Sequence, residues 1–367
     1  MEGLLIPLRG AIVPETRKIA VLRANGLGDL MFSMPALYSL RAAYPGAEVV
    51  LLGKRWHRDF FSGRPGPVDR VEVIPRCPGV GAEETDSPDL PALEEFFARM
   101  QAEHFDIVLQ MHGGGRNSNP FVRRLGARVT AGSATADAAP LDRMVPYIYF
   151  QNEIMRYLEI AGLVGVQPVM LEPCIELTEQ DQAEAASAVP PGAPLAVIHP
   201  GVSSIDRLWP VERFAAVGDV LAQAGAHVVV TGSDEEVPLV RRMVDLMEET
   251  ATPLAGVLSL GGLAALIARA RLLVSNDTGP LHLAQAVGTP TVGIYWCFNL
   301  INGGSPFRTI HRPVVSWMLE CPLCGRSQVY DPCDHKVSYM GDVAVEDVVE
   351  QALDLYGGST AAAQSAS

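Results

Sequence analysis

The segment "VSNDTGPLHLAQAVGTPTVGIYW" at residues 274–296 holds two strand-like stretches with a helix-like stretch between them. Short apolar runs at 271–277 and 289–296 have the composition of buried strands. The intervening residues 279–288 have a helical pattern, and their early proline suits the first turn of a helix. Strand, helix and strand in this order predict an α/β fold with a parallel sheet.

The same alternation occurs throughout the chain, in two blocks. In the first block, strands are predicted at 18–23, 47–53, 105–111 and 127–132, and helices at 35–44 and 151–165. In the second, strands are predicted at 195–201, 226–232, 271–277 and 289–296, and helices at 211–225, 235–249, 263–270 and 279–288. Short apolar strands separated by helices indicate two doubly wound, Rossmann-like domains.

The domain boundary is expected where the alternation restarts. We predict an N-terminal domain at 1–172 and a C-terminal domain at 173–357, with a cleft between them. A last helix at 343–357 is expected to pack back over the domain junction. The segment 358–367 lacks large apolar residues and is predicted to be a disordered tail.

Composition restricts the partners of the protein. The chain has 367 residues and a formal net charge of −14, which argues against nucleic acid as a partner. No apolar run has membrane-spanning length and the chain start does not have the pattern of a cleaved leader, so a cytoplasmic protein is expected. Basic clusters at 53–58 and 122–124 suit an anionic ligand or a membrane surface, with an ordinary solvated surface as the alternative.

Four loops at predicted strand ends carry polar residues, and ligands of such sheets bind at the carboxyl ends of strands. The first loop, at 23–35, contains a Gly-Leu-Gly that ends in Gly28, followed by Asp29. Its glycines allow the backbone to approach a ligand closely. A dinucleotide site would need a third glycine and an acid after the next strand, and neither is present. The sequence therefore argues against an NAD site.

The second and third loops carry hydroxyls, a cation and acids. Ser203, Ser204 and Arg207 lie in the loop at 199–210 and form a candidate diphosphate cradle, with an ordinary hydroxyl-rich turn as the alternative. In the loop at 231–237, Glu235 or Glu236 is a candidate acceptor for ribose hydroxyls. Acids are equally expected there because they stabilise the first turn of a helix.

The fourth loop lies within the segment quoted above. Thr278 or Gly279 can cap the following helix, whose N-terminus then presents free N–H groups and partial positive charge. Asp277 would repel an anion, so we interpret it as a partner of sugar hydroxyls next to a phosphate. His282, one turn into the helix, is a candidate phosphate contact. A structural role is the more common one for a single helical histidine.

At this point the sequence resembles glycosyltransferase family 9, the heptosyltransferases of the GT-B fold. The resemblance runs from about residue 18 to residue 356. It rests on "GLGDLMFSMPALYSLR", "LWPVERFA", "VVVTGSDEE" and, above all, "NDTGPLHLAQAVGTPTVGIYW". The resemblance implies transfer of a sugar, with inversion, from a nucleotide-diphosphate sugar to a hydroxyl of a glycan or glycolipid.

The resemblance also implies residue roles. It makes Asp29 the proposed catalytic base, and it makes Glu236 a ribose contact. Donor-binding positions implied in the same way are Gly28, Ser203, Ser204, Arg207, Asp277, Thr278, Gly279 and His282. Many members have lysine where this chain has Arg207, which retains the charge but changes the geometry and can indicate a different donor.

No cofactor is expected for the reaction. The chain contains no Asp-x-Asp pair, so a glycosyltransferase that chelates a metal is disfavoured. The helix N-terminus and Arg207 are expected to stabilise the leaving diphosphate instead of Mg²⁺.

A cysteine cluster near the C-terminus is a separate feature. Cys321, Cys324, Cys333 and His335 have a Cys-x2-Cys and Cys-x-His spacing that can hold structural zinc. Cysteines also occur here in the family, and reduced thiols that pack in a loop are the alternative.

The sequence therefore predicts an inverting GT-B glycosyltransferase of cell-envelope or lipopolysaccharide biosynthesis. Its expected partners are an ADP-heptose-like donor and an anionic glycan or glycolipid acceptor, with peripheral contact at the inner face of the cytoplasmic membrane. Two alternatives stay open: a GT-B sugar-nucleotide epimerase, and a catalytically silent module that binds a nucleotide sugar.

Overall fold

The computed structural model describes residues 10–364. The chain divides between Glu176 and Leu177 into two compact units, close to the boundary expected after residue 172. The start of the chain, where no leader was expected, lies largely outside the described residues, which exclude 1–9.

The N-terminal unit is built on a parallel six-stranded sheet. The unit has six strands in this sheet and two further strands of two residues each, the fourth and fifth along the chain, which lie outside it. In chain order the strands are β1 (Lys18–Leu22), β2 (Glu48–Gly53), β3 (Arg70–Val73), β4 (Cys77–Pro78), β5 (Gly81–Ala82), β6 (Ile107–Gln110), β7 (Val129–Ala134) and β8 (Arg143–Pro146). Its helices are α1 (Leu27–Ala43), α2 (Arg55–Phe61), α3 (Leu90–Ala102), α4 (Ser118–Arg123) and α5 (Glu153–Gly162). The large sheet has the order β3-β2-β1-β6-β7-β8, and β4 pairs only with β5.

The C-terminal unit repeats this plan. Its strands are β9 (Leu195–His199), β10 (His227–Gly232), β11 (Ala251–Ala255), β12 (Ala270–Asn276), β13 (Thr291–Trp296) and β14 (His311–Ser316). Its helices are α6 (Glu179–Ala188), α7 (Val211–Gln223), α8 (Val237–Leu246), α9 (Leu260–Ala268), α10 (Gly279–Ala286), α11 (Cys297–Gly303) and α12 (Val345–Gln364). The parallel sheet has the order β11-β10-β9-β12-β13-β14.

In both sheets, the order in which the chain adds strands reverses beside the first strand. The chain winds outward from β1 to β3 and then returns to add β6 on the other side of β1, and β9 and β12 repeat this arrangement. The central strands are buried throughout, as expected for sheets covered by helices on both faces. The prediction of two Rossmann-like domains is confirmed. Ligands of such sheets bind where the strand order reverses, which fixes one such position in each unit.

Helix α1 begins earlier than the sequence predicted. The expected helix started at Pro35, but the helix begins at Leu27, so Gly28 and Asp29 lie in its first turn and not in a loop. The Asp29 carboxylate accepts the backbone N–H of Gly26 at 3.1 Å and thereby caps the helix. Proline inside a helix is costly, and the burial of the residues around Pro35 offsets that cost.

Helix α12 packs on its own unit and is longer than expected. It contacts α7, β12 and β13, and Val348, Ala352 and Tyr356 are buried in the core of that unit. The helix continues to Gln364, into the segment 358–367 for which we predicted a disordered tail. Alanine, which is frequent there, favours helix. Residues 365–367 of that tail lie outside the described residues.

The two basic clusters of the N-terminal unit lie at its surface. Arg55 and Arg58 on α2 are exposed, as are Arg123 at the end of α4 and Arg124 directly after it, and Arg124 pairs with a glutamate of α3. Within residues 10–364, no helix has both the length and the apolar composition that crossing a membrane requires.

Candidate functional site

The candidate donor residues of the C-terminal unit come together because β9 and β12 are neighbours. The two strands pair in parallel, with Ser275 opposite His199. The loops that follow them therefore leave the same edge of the sheet side by side. Arg207 ends a short 3₁₀ turn in the loop after β9, and Asp277 is the first residue after β12.

A buried carboxylate links these loops. Arg207 Nη1 donates to Asp277 Oδ2 and to the Asp277 carbonyl oxygen, both at 2.9 Å. His282 Nε2 lies 3.0 Å from the other carboxylate oxygen, and His282 Nδ1 lies 3.2 Å from Gln285 Oε1. Both carboxylate oxygens of Asp277 thus have partners in the protein.

The electrostatics of this carboxylate follow from its partners. Asp277 is only 4% exposed, and burial by itself raises the pKa of a carboxyl group. His282 and Arg207 together outweigh that effect, so the pKa of Asp277 lies below its ordinary value. Asp277 therefore remains ionised, and its charge holds Arg207 and His282 in place.

The N-terminus of α10 adds a further electropositive feature. Thr278 is its N-cap residue with an extended backbone, and its side chain makes no capping hydrogen bond. Gly279 and Pro280 form the first turn. Backbone N–H groups at a helix start suit an anion, as does the positive end of the helix dipole. The arrangement can bind a phosphate beside Arg207.

The remaining predicted residues of this unit lie on the same loops. Ser203 Oγ accepts a hydrogen bond from Arg207 at 3.0 Å, whereas Ser204 Oγ donates to Asp206 at 3.1 Å. Of the two candidate acids after β10, Glu235 is exposed and Glu236 is half-buried. Glu236 lies against Gly201, where a Cβ would come within 1.9 Å of the carboxylate. The structure therefore favours Glu236 as the acid of this site.

The N-terminal unit has its own candidate site, where β1 and β6 are neighbours. Asp29 Oδ1 pairs with Arg23 at 2.8 Å, and the Asp29 side chain is 41% exposed. Arg23 is buried, and it donates to the carbonyl oxygens of Asp29 at 3.1 Å and Met111 at 2.7 Å. The Asp29 carboxylate is thus oriented by a fixed arginine while it stays accessible to solvent. Gly28 precedes it in the same turn.

Two histidines lie near this carboxylate and are neutral. Burial lowers the pKa of His57 to about 3 and the pKa of His112 to about 4, and in both cases Arg23 contributes to the lowering. His112 Nδ1 accepts the backbone N–H of Ala24 at 3.3 Å. Neither histidine carries a charge near neutral pH, so Arg23 is the cation that faces Asp29.

The sequence did not identify Arg23 or Gln285 as site residues. Arg23 is the first residue after β1, the position at which a parallel strand delivers a side chain to a site. Gln285 lies three residues after His282 on one face of α10, so helical spacing is the signal that indicates its contact. Asp29 and Asp277 each belong to the cluster of their own unit.

The cysteine cluster also assembles as its spacing predicted. One ligand atom from each of Cys321, Cys324, Cys333 and His335 lies within 4.8 Å of all the others. Among the described residues of the C-terminal unit, these four side chains form a group that could hold a metal ion.

Comparison with known proteins identifies the class. A solved glycosyltransferase family 9 protein from Veillonella parvula shares the fold, with a TM-score of 0.75 and 22% identity over 93% of this chain and 97% of that one. The solved Escherichia coli ADP-heptose lps heptosyltransferase II has a TM-score of 0.72 and 17% identity over 94% and 99% of the two chains. The fold is thus that of the GT-B heptosyltransferase structures.

Sequence comparison gives the family. The profile of glycosyltransferase family 9 (heptosyltransferase) matches residues 94–298. Lipopolysaccharide heptosyltransferase 3 of Escherichia coli is 32% identical over 290 residues, which cover 73% of this chain and 80% of that protein. The chain belongs to glycosyltransferase family 9. It is a glycosyltransferase, as the resemblance in the sequence implied.

The buried carboxylate makes a prediction about stability. Asp277→Asn should lower the free energy of unfolding by about 3–5 kcal/mol, because it leaves the partly buried Arg207 guanidinium without its counter-charge. Thermal unfolding at pH 7 should show a melting temperature several degrees lower for this variant. Asp245→Asn, on the exposed face of α8, is the matched control and should leave the melting temperature unchanged.

The difference in stability between wild type and Asp277→Asn should depend on pH. The pKa of Asp277 is lower in the folded protein than in the unfolded chain. The ionised carboxylate therefore contributes its full stabilisation of the fold above the unfolded-state pKa of about 3.9. It is lost as the pH falls through the native pKa. The difference in melting temperature between wild type and Asp277→Asn should therefore become smaller as the pH falls. A gap that widens as the pH falls would contradict an ionised Asp277.

Proposed function

We propose that the enzyme transfers heptose from ADP-heptose to a hydroxyl of a lipopolysaccharide core, with inversion at the transferred carbon. The family gives the reaction class. The similarity to a lipopolysaccharide heptosyltransferase 3 and to an ADP-heptose lps heptosyltransferase II supports the donor and the acceptor. The observation that carries the assignment is the Arg207–Asp277–His282 cluster beside the N-terminus of α10. It offers a fixed cation and backbone N–H groups to a diphosphate.

We assign the donor diphosphate to this cluster. Arg207 uses Nη1 for Asp277 and Nη2 for Ser203, which fixes the plane of its guanidinium. A fixed cation stabilises the charge that develops on a leaving phosphate without reorganisation during the reaction. In this proposal Asp277 acts through Arg207 and His282, while Gly279 supplies backbone and Glu236 accepts the ribose hydroxyls.

We assign proton abstraction to Asp29. Its carboxylate is oriented by Arg23 and is still accessible, which are the two properties that a general base for an incoming hydroxyl needs. One carboxylate suffices for inversion, since the acceptor oxygen displaces the diphosphate in a single step. The acceptor O–H proton passes to Asp29 as the bond to the sugar forms, and the bonding electrons leave with ADP.

The experiment is a transfer assay with ADP-heptose and a lipopolysaccharide-core acceptor. Asp29→Asn can still accept the Gly26 N–H but cannot take a proton. It should keep its fold and its ADP affinity and lose about 10²–10⁴-fold in kcat. Arg207→Ala, by contrast, should weaken the binding of ADP in calorimetry.

Other outcomes would favour other functions. Near wild-type turnover by folded Asp29→Asn would remove Asp29 from the mechanism. Release of an epimerised sugar without any acceptor would support the epimerase alternative. ADP binding without any turnover of ADP-heptose would support the silent module.

We propose that transfer does not need a divalent metal. Arg207 and the start of α10 supply positive charge where metal-dependent glycosyltransferases use Mg²⁺. Initial rates should persist when EDTA is present in the assay. Loss of activity that Mg²⁺ or Mn²⁺ restores would contradict the proposal, whereas slow loss that only zinc restores would report on the cysteine cluster.

We also propose that the enzyme acts at the inner face of the cytoplasmic membrane, as a peripheral protein. Ile148, Tyr149 and Phe150, which follow β8, are exposed by 56%, 63% and 52%. Aromatic side chains at a surface suit the interface of a bilayer, and the basic clusters on α2 and after α4 suit anionic lipid.

Vesicle binding tests this contact. Co-sedimentation with vesicles that contain anionic lipid should fall for the double variant Tyr149→Ser/Phe150→Ser, because it removes the exposed apolar rings. Leu246→Ser, at an exposed leucine of α8, is the control and should bind as wild type does. Equal binding by all three proteins would exclude the aromatic segment as the contact.

A further inference from the structure

The segment at 317–338, between β14 and α12, has little regular structure and few buried apolar contacts to stabilise it. It contains no helix or strand, only a single bridge between Glu320 and Ser327. Most of its larger apolar side chains are exposed to solvent: Trp317, Leu319, Leu323, Val329 and Tyr330. A segment that buries so little apolar surface needs a cross-link to be ordered.

Four side chains of this segment form the geometry of such a cross-link. Cys321 Sγ lies 3.5 Å from His335 Nδ1, and all four ligand atoms lie within 4.8 Å of one another. In a tetrahedral zinc site, bonds of about 2.3 Å to sulfur and 2.0–2.1 Å to nitrogen put neighbouring ligand atoms about 3.5–3.8 Å apart. The cluster needs only small adjustments to close around one ion.

The backbone around Cys321 and Cys324 forms a turn that suits the binding of a metal ion by both sulfurs. Gly325, directly after Cys324, has a positive φ of 72° and turns the chain. Its N–H bonds to the carbonyl oxygen of Cys321 at 2.8 Å, and the Cys321 N–H bonds to Arg326 at 2.9 Å. The turn directs both sulfurs to one side. A side chain other than glycine would strain it.

We propose that Cys321, Cys324, Cys333 and His335 bind one zinc ion, and that this ion holds the donor loop around Arg207. Three thiolates and one imidazole form a closed tetrahedral set, which is the composition of structural zinc sites. All four ligands come from one short segment, so the metal can order it without a hydrophobic core.

The link to the donor loop runs through the residues that follow His335. Ser338 Oγ donates to the Leu208 carbonyl oxygen at 2.6 Å, and the Tyr339 N–H donates to the Asp206 carbonyl oxygen at 2.9 Å. These two acceptors flank Arg207 in the chain. The segment that the metal orders is thus bonded to both sides of the residue assigned to the diphosphate.

Tyr339 also connects the cluster with the sheet. Its ring stacks on Trp296 at the end of β13, with centroids 4.7 Å apart, and its carbonyl oxygen accepts a hydrogen bond from Ser316 Oγ at the end of β14. Tyr339 follows the last ligand, His335, by four residues, so its backbone belongs to the stretch that the metal orders. Loss of the metal should therefore free Tyr339, and with it the backbone on either side of Arg207.

The primary experiment measures metal content by elemental analysis of protein purified without added metal. Wild type should contain about one zinc per chain. Cys324→Ser should lose it, whereas Cys324→His should retain it, because imidazole is also a zinc ligand. Cys174→Ser, at a half-buried cysteine of the N-terminal unit, is the control and should keep the metal.

The readings that would overturn the proposal are distinct. Wild-type protein without metal, or Cys324→Ser with undiminished metal, would leave the cluster as packed thiols. Iron in place of zinc, recognised by a visible thiolate absorption band that zinc lacks, would overturn the choice of metal. If Cys324→Ser does not fold, removal of the metal from wild type and its return should lower and restore the melting temperature.

The second arm tests the effect on the donor loop and rests on the proposed function. Demetallated wild type should show faster amide exchange at 203–210 and about three- to tenfold weaker ADP binding, as expected when the competent loop is populated 10–30% of the time. Zinc should reverse both effects. Faster exchange with unchanged ADP affinity would overturn the diphosphate assignment of Arg207 and leave the metal site intact. Unchanged exchange would contradict the link from the metal to the loop.

Discussion

The geometry of the C-terminal site depends on the buried ion pair between Arg207 and Asp277. Burial of a carboxylate is expensive, and only a well-placed cation and further hydrogen bonds offset the cost. Asp277 is fixed by the sheet itself, since its N–H bonds to the Ile294 carbonyl oxygen at 3.0 Å, next to the last residues of β12. Arg207, in a loop without regular structure beyond one short turn, takes its position from this carboxylate. The sheet thus determines where the Arg207 guanidinium lies.

In the N-terminal unit, an arginine likewise joins two neighbouring loops at the site. Arg23 follows the central strand β1 and bonds to the carbonyl oxygen of Met111 after the neighbouring strand β6, as Arg207 bonds to that of Asp277 after β12. Each arginine thus joins two loops where the strand order reverses. The carboxylates differ: Asp277 is enclosed by its partners, whereas Asp29 keeps 41% of its side chain exposed. Of the two carboxylates, Asp29 is therefore the one that solvent or a ligand can reach.

The sequence predicted the fold well where the strands are central and buried, because continuous apolar runs have few other structures available. The edge strands β3, β8, β11 and β14 were not predicted, since they are short and only partly buried. Among the site residues, Asp277 and His282 could be predicted from strand-end position and helical spacing. The contact of Asp277 with Arg207 and the part of Arg23 could not be predicted, because both depend on which strands become neighbours, and the spacing along the chain does not contain that order.

The choice of arginine over lysine at position 207 has a structural consequence. Arg207 spans three acceptors, the Asp277 carboxylate, the Asp277 carbonyl oxygen and Ser203 Oγ, with two nitrogens of one planar group. A lysine ammonium is a compact point charge and cannot hold acceptors on both sides in a fixed plane. The arginine therefore joins the loops after β9 and β12 more rigidly, and its bonds leave less freedom for the loop to adapt to a donor. The Ser338 and Tyr339 contacts restrain the same loop from its other side, so the proposed diphosphate site is formed before any donor binds.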